Sequence, residues 1–232
     1  MRKSRPALIV FCREPIAHQT KTRLIGAISP AAAAALSDAF IRDALAKAVL
    51  VRPSRIVIAA SAVDGADCSK YFRRLARRFE ADLIDQGSGS LGQRMARSLD
   101  PFTSIGALLV GTDTPSLPAS MLASSLEALR RNRIVIAPSL DGGYYAVGVR
   151  GAMPPIFTGI RWGSGIVFAT TLKRLERAAI PYALGPAWYD VDRWADLLLL
   201  AAHLRMLARK DSSPCPATES VLARLGVLRH AR

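Results

Sequence analysis

Short apolar runs alternate with stretches of helical period along most of this chain, and that alternation restricts the fold more than any other feature. The runs Ala7–Phe11, Arg55–Ala60, Ala81–Asp85, Ala107–Val110, Ile134–Ala137 and Tyr144–Val149 are strand-length. Helical spacing follows Ser29-Pro30, where Leu36, Phe40, Ala44 or Leu45 and Ala48 form a stripe. It recurs over Ala66–Phe79, through Met95 and Leu99, over Ala119–Arg130, over Ile166–Ala178, and again after Asp192 as far as Leu207. Strand–helix alternation of this kind predicts a three-layer α/β/α domain with a mostly parallel sheet. A last strand region is expected over Tyr182–Asp192, a linker over Asp211–Ala217 and a short helix over Ser220–Leu228. With no internal repeat and no break in composition, residues 1–232 are expected to form one domain, with a core of about 6–208 and the linker and short helix over 209–232.

The run Ala107–Val110 leads directly into Gly111-Thr-Asp-Thr-Pro115. In an open α/β sheet, ligands gather beyond the carboxyl ends of the strands, which puts Asp113 at the expected place for chemistry. A second role is open to it, since Asp also favours turns and helix caps.

Half of the residues are hydrophobic, enough for a sizeable core. The net charge is +14, and the excess is shared: 17 Lys/Arg against 10 Asp/Glu in residues 1–116, and 15 against 8 in 117–232. An even spread argues against a basic tail gripping nucleic acid, but suits anionic small molecules. The cations of Ala66–Phe79 (Lys70, Arg73, Arg74, Arg77, Arg78) read as a solvated helix face, because no nucleic-acid recognition motif accompanies them. Three distant cysteines, Cys12, Cys68 and Cys215, form no CxxC pair, so a reducing cytoplasm is expected. The basic start followed by Pro6–Cys12 imitates a signal peptide but meets Arg13 and Glu14 at once, and reads as a strand. Leu197–Leu200 is far too short to span a bilayer.

The chain has no GxxxxGK[ST], no GxGxxG after the first strand, no HExxH and no GxSxG. Its histidines, His18, His203 and His230, are scattered. Acidic and basic groups at loop positions remain: Asp113, the pair Asp190 and Asp192, and Arg13, Lys21 and Arg23 in the first polar loop. Carboxylates beside cations at strand ends suit Mg²⁺ or Mn²⁺ carrying a diphosphate. A carboxylate about 4 Å from a phosphate charge is repelled by roughly 1 kcal/mol in water and about 4 kcal/mol at an effective dielectric of 20, and a divalent ion between them reverses the sign. Plainer roles stay open: Asp192 as the cap of the helix starting near Arg193, and Lys21 and Arg23 as surface charges.

Taken together, Phe11-Cys-Arg-Glu-Pro15, Lys21-Thr-Arg-Leu24, Leu91-Gly-Gln-Arg-Met95, Gly111-Thr-Asp-Thr-Pro-Ser-Leu-Pro118, Asp141-Gly-Gly-Tyr-Tyr145, Trp162-Gly-Ser164 and Asp190-Val-Asp192 resemble one set of motifs, in order, over nearly all of residues 6–200. The set is similar to that of the bacterial MobA-like, radical-SAM-associated transferases of the nucleotide-diphospho-sugar transferase superfamily, whose fold is GT-A. The resemblance implies a mostly parallel sheet with one reversed strand, a nucleotide in the N-terminal half and an acceptor in the C-terminal half. It implies that Lys21 and Arg23 face phosphates and act in catalysis, and that Arg13, Gly92, Arg94 and Thr112 join them and Asp113 around the nucleotide. By the same resemblance Asp113, Asp190 and Asp192 hold Mg²⁺ or Mn²⁺, and Asp141 stands near the acceptor, where it would serve as general base. The implied activity is transfer from a nucleotide sugar to a hydroxyl acceptor. The alternative activity joins an NTP to a phosphorylated small molecule and releases pyrophosphate. A polyanion binder using the basic helix and Arg130–Arg133 is a third possibility. This chain departs from the family pattern in having Arg13 for Lys, His18 for a loop Gly and Ser90 for Asp.

Overall fold

The computed structural model describes residues 5–61, 70–207 and 213–230. Seven strands form one sheet: β1 (Ala7–Arg13), β2 (Ile56–Ser61), β3 (Asp82–Asp85), β4 (Ala107–Val110), β5 (Ile134–Pro138), β6 (Tyr144–Val149) and β7 (Tyr182–Leu184). Their order is β3-β2-β1-β4-β6-β5-β7. Every pairing is parallel except the two made by β6, which runs antiparallel to both β4 and β5. The mixed, mostly parallel sheet with one reversed strand is the expected one.

Each central strand is buried on both faces, which is why its sequence is continuously apolar. Period-2 alternation still assigns its side chains: Leu8 and Val10 go to one face, Ala7 and Ile9 to the other. On the first face lie α1 (Pro30–Val51), α2 (Lys70–Phe79) and α4 (Ala119–Arg131), through Ile41, Leu45, Phe72, Leu75, Leu122 and Leu126. On the second lie α3 (Leu91–Leu99) and α5 (Val167–Arg177), through Met95, Leu99 and Leu175. The far side of α1 buries Leu36 and Phe40 against α6 (Trp194–Leu207) and α7 (Pro216–Arg224), and α8 (Val227–His230) follows.

Local chemistry sets the helix ends. Ser29 accepts from the Ala32 amide (3.2 Å) with Pro30 in the first turn. Ser90 and Gln93 form a reciprocal capping box on α3. The expected helix over Ala66–Phe79 is described from Lys70, and its Cys68 lies outside the described residues. Helix α7 starts at Pro216, four residues before the expected Ser220, because the carboxylate of the α1 residue Asp43 accepts from the Ala217 and Thr218 amides and caps it from outside. The expected last strand shrinks to three residues. Gly185 and Pro186 end it, and residues 185–192 run on as an extended loop bridged to the sheet at Ser139–Trp188. Among the described residues no helix is long and apolar enough to cross a membrane.

Candidate functional site

Strand β1 has β2 on one side and β4 on the other, and the crossover direction reverses between them. Loops leaving the carboxyl ends of adjacent strands diverge at such a point and open a crevice. Here the loop after β1 delivers Lys21 and Arg23, and the loop after β4 delivers Asp113. The 185–192 loop closes from the far side: the Val191 amide donates to the Asp113 carbonyl at 2.8 Å.

Lys21 is the hub. Its backbone adopts a left-handed conformation (φ 49°), and its side chain is only 7% exposed. The ammonium meets Asp113 Oδ1 at 2.6 Å and Asp192 Oδ1 at 2.9 Å, and donates to the Val191 carbonyl at 2.7 Å. All three ammonium protons therefore have partners. Burial works to depress the Lys21 pKa, but the Asp113 and Asp192 carboxylates outweigh it and hold the pKa above the ordinary lysine value. Burial likewise opposes ionisation of Asp192, yet Lys21 and Arg23 hold its pKa below the usual carboxylate range. Arg23 Nη1 stands 3.4 Å from Asp192 Oδ2 and stays largely exposed. Asp196, in the first turn of α6, reaches back to accept from the Asp192 and Arg193 amides at 3.0 and 2.7 Å, while the carboxylate of Asp192 faces the cations.

Two adjoining chambers meet at Asp113 and Asp192. The first, about 450 Å³, takes its cations from Arg13, Lys21, Arg23 and Arg94, with Thr112 on its wall. The second, about 270 Å³, is lined by Asp113, Asp141, Asp190 and Asp192 and by an apolar wall that includes Leu109, Tyr144 and Trp162. Phe11, Leu91 and Gly111 belong to both. Asp190 carries the clearest electrostatic signature: burial, reinforced by the charges of Asp141, Asp113 and Asp192, pushes its pKa up to about 7. Asp141 accepts from the Ser139 hydroxyl and from the Gly143 amide (2.8 Å), both on Oδ1.

The structure thus brings Arg13, Lys21, Arg23, Arg94, Thr112, Asp113, Asp141, Asp190 and Asp192 around one crevice. Gly92 stands one residue back from the lining, and the space its missing side chain would need is filled by the Phe157 carbonyl and the Trp162 ring. His18 is exposed and lines neither chamber; its backbone sits at φ 66°, where a glycine would be at ease. Gln86 and Ser139 carry no signal in the sequence beyond their position after a strand. Gln86, fully buried, donates to the Cys12 and Ala59 carbonyls (3.0 and 2.7 Å) and accepts from Arg94, whose guanidinium lies over the Phe11 ring. Arg97 holds the same loop through the Gln86 and Ser88 carbonyls. Cys12 is a core thiol whose pKa burial drives upward, which removes it as a nucleophile.

Among the described residues no three His, Cys, Asp or Glu side chains converge on one point. The arrangement is still one that a hard divalent cation fits. Mg²⁺ keeps most of its water and needs only one or two carboxylates beside a phosphate. Asp113 is half exposed, and the mutual repulsion that raises Asp190 is relieved by any added positive charge.

Solved structures share this fold. A provisionally named nucleotide-diphospho-sugar transferase from Desulfovibrio desulfuricans G20 superposes with a TM-score of 0.82 at 24% identity, over 98% of each chain. A cytidylyltransferase from Leptospira borgpetersenii gives 0.57 at 10% identity, over 97% of each chain. The 4-diphosphocytidyl-2C-methyl-D-erythritol synthase of Anaerococcus prevotii gives 0.56 at 11%, over 88% of this chain and 99% of that one. The fold is therefore that of the nucleotide-diphospho-sugar transferases, as the motifs imply. No curated protein matches the sequence. The family model described as "Uncharacterized protein conserved in bacteria (DUF2064)" matches residues 43–164, more than half of the chain, and the protein belongs to that family.

Proposed function

We propose that this protein is a transferase that takes a nucleotide-activated sugar and passes the sugar to a hydroxyl acceptor. One observation carries this reading: a cationic chamber and an acidic, apolar-walled chamber adjoin at Asp113 and Asp192. A nucleoside diphosphate is an anion, and Arg13, Lys21, Arg23 and Arg94 offer it counter-charges. The acceptor takes the second chamber.

Asp113 and Asp190 would hold Mg²⁺ or Mn²⁺, and Asp192 would join them as its bonds to Lys21 and Arg23 allow. When bound, the ion supplies positive charge against the departing diphosphate. Lys21 is held in place by its three bonds, so its positive charge stands fixed beside the first chamber, near where negative charge develops on the diphosphate. Arg23 adds a mobile cation from the chamber mouth. Asp141 is the base: Oδ1 is fixed by Ser139 and Gly143, and Oδ2 takes the acceptor's hydroxyl proton. The acceptor oxygen then bonds to the sugar's anomeric carbon as the bond from that carbon to the diphosphate breaks, and the nucleoside diphosphate leaves.

A second reading keeps the first chamber and changes the bond: an NTP is joined to a phosphorylated acceptor and pyrophosphate leaves. The cytidylyltransferases of like fold favour it. Thermal shift against nucleotides and nucleotide sugars, with and without Mn²⁺, in wild type and Asp113→Ala, separates the two. Sugar transfer predicts a metal-dependent rise in melting temperature with a nucleotide sugar that disappears in the variant. A rise with free NTP alone, together with pyrophosphate release, would favour nucleotidyl transfer. No rise with any nucleotide would sink both.

A further inference from the structure

The charged groups lining the second chamber are, among the described residues, all carboxylates: Asp113, Asp141, Asp190 and Asp192. No Lys, Arg or His side chain joins them there. Lys21 lines the first chamber only, and its protons are committed to Asp113, Asp192 and the Val191 carbonyl. Much of the remaining wall is apolar or aromatic, with Tyr144 and Trp162 packed edge to face. Two exposed apolar side chains extend this character outward. Leu140 (72% exposed) lies between the lining residues Ser139 and Asp141, and Ile166 (61%) directly precedes the lining residue Val167. The two segments meet backbone to backbone at Gly142 and Gly165.

We propose that the acceptor is an alcohol with an apolar ring or chain and without a phosphate or carboxylate group. The proposal rests on the transferase reading above and names the acceptor class of that same site. With a divalent ion held at Asp113 and Asp190 its charge would go to the donor's diphosphate, and a phosphate monoester entering this chamber would still give up hydration and meet Asp141 and Asp192 with no Lys, Arg or His side chain to take its charge. A hydroxyl, by contrast, donates to a carboxylate, and an apolar body covers Leu109, Tyr144 and Trp162. The acceptors of nucleotidyl transfer in the second reading are anions, so the same wall works against that reaction.

The test is isothermal titration with a matched pair of probes, phenyl β-D-glucoside and its 6-phosphate, in Mg²⁺ and again in EDTA. The first chamber is presented with pyrophosphate throughout, so that the sugar phosphate does not settle there. The glucoside is expected to bind at least roughly tenfold more tightly than its phosphate. Ser164→Arg, which places a cation in the wall, is expected to narrow or reverse that ratio. Equal or tighter binding of the phosphate by wild type, or no binding of either probe at millimolar concentration, overturns the proposal. A parallel titration with nucleoside diphosphates reports on the transferase reading alone. If they bind and the phosphate probe wins, only the acceptor assignment fails; if they do not bind, the donor site itself is wrong.

Discussion

Lys21 and Asp190 mark the two electrostatic extremes of the site. Lys21→Met would leave Asp113 and Asp192 facing each other with only the exposed Arg23 beside Asp192 as counter-ion. Water reaches both carboxylates, which are 50% and 37% exposed, so the cost is about 1–3 kcal/mol, below that of a fully buried pair. A lower melting temperature and loss of nucleotide-dependent stabilisation are expected together. Asp190 acts in the opposite sense. Its carboxyl is raised in the folded state from 3.8 to about 7, so the folded protein binds the proton more tightly than the unfolded chain. Its contribution to stability therefore falls as pH climbs from about 4 to about 7. Asp190→Asn should be more stable than wild type at pH 8 by about 1–2 kcal/mol, discounted for solvent screening, with the gap closing below about pH 4. Denaturant unfolding at the two pH values measures it, and a gap that does not change with pH would refute the assignment. Most of the carboxylates and cations involved could be picked out in the sequence as loop charges. Their mutual arrangement could not, because Lys21 and Asp192 are 171 positions apart. Nor could the reach of Asp196 back to the Asp192 and Arg193 amides, which depends on where the first turn of α6 falls.

Helix α3 shows how an element holds a site it barely touches. Ser90 and Gln93 cap it, Arg97 ties down the loop before it, and Gly92 lets it lie flush against the 157–162 segment. Ser90→Ala should cost about 1 kcal/mol, and Ser90→Asp should keep the cap, since Asp serves that position as well as Ser does. Gly92→Ala drives a methyl into the Phe157 carbonyl and should cost about 1–3 kcal/mol, with a change in Trp162 fluorescence as its ring is displaced. Thermal melts of the three variants decide the ranking. Most strands and helices could be read from period and caps, because the two-sided burial of a parallel sheet leaves unbroken apolar runs. The 185–192 segment could not. Its extended backbone is held by Pro186, by the Ser139–Trp188 bridge and by a hydrogen-bond chain from Trp188 through Ser116 and Tyr189 to His203, all of which are tertiary.

Across the whole molecule, charge and topology divide the labour. The excess of +14 is spread widely, but the first chamber draws on only Arg13, Lys21, Arg23 and Arg94. Replacing Arg74 and Arg77 of the basic α2 face by Gln should therefore leave nucleotide affinity within about twofold at constant ionic strength, since exposed charges beyond a Debye length of roughly 8 Å are screened. Affinity measured for the double variant checks this. The hydrogen bond from the Val191 amide to the Asp113 carbonyl, with Lys21 clipped over both loops, has a bearing on how the protein is made. Chains emerge from the ribosome N-terminus first. Strands β1 to β7 are all synthesised before Asp190, so the sheet precedes its own crevice. A segment cut to the family-matched residues 43–164 keeps Asp113 and Asp141 but lacks Lys21, Arg23, Asp190 and Asp192. Nucleotide binding should thus appear late and all at once in a series of C-terminal truncations, when residue 192 is included together with enough of α6 to cap it.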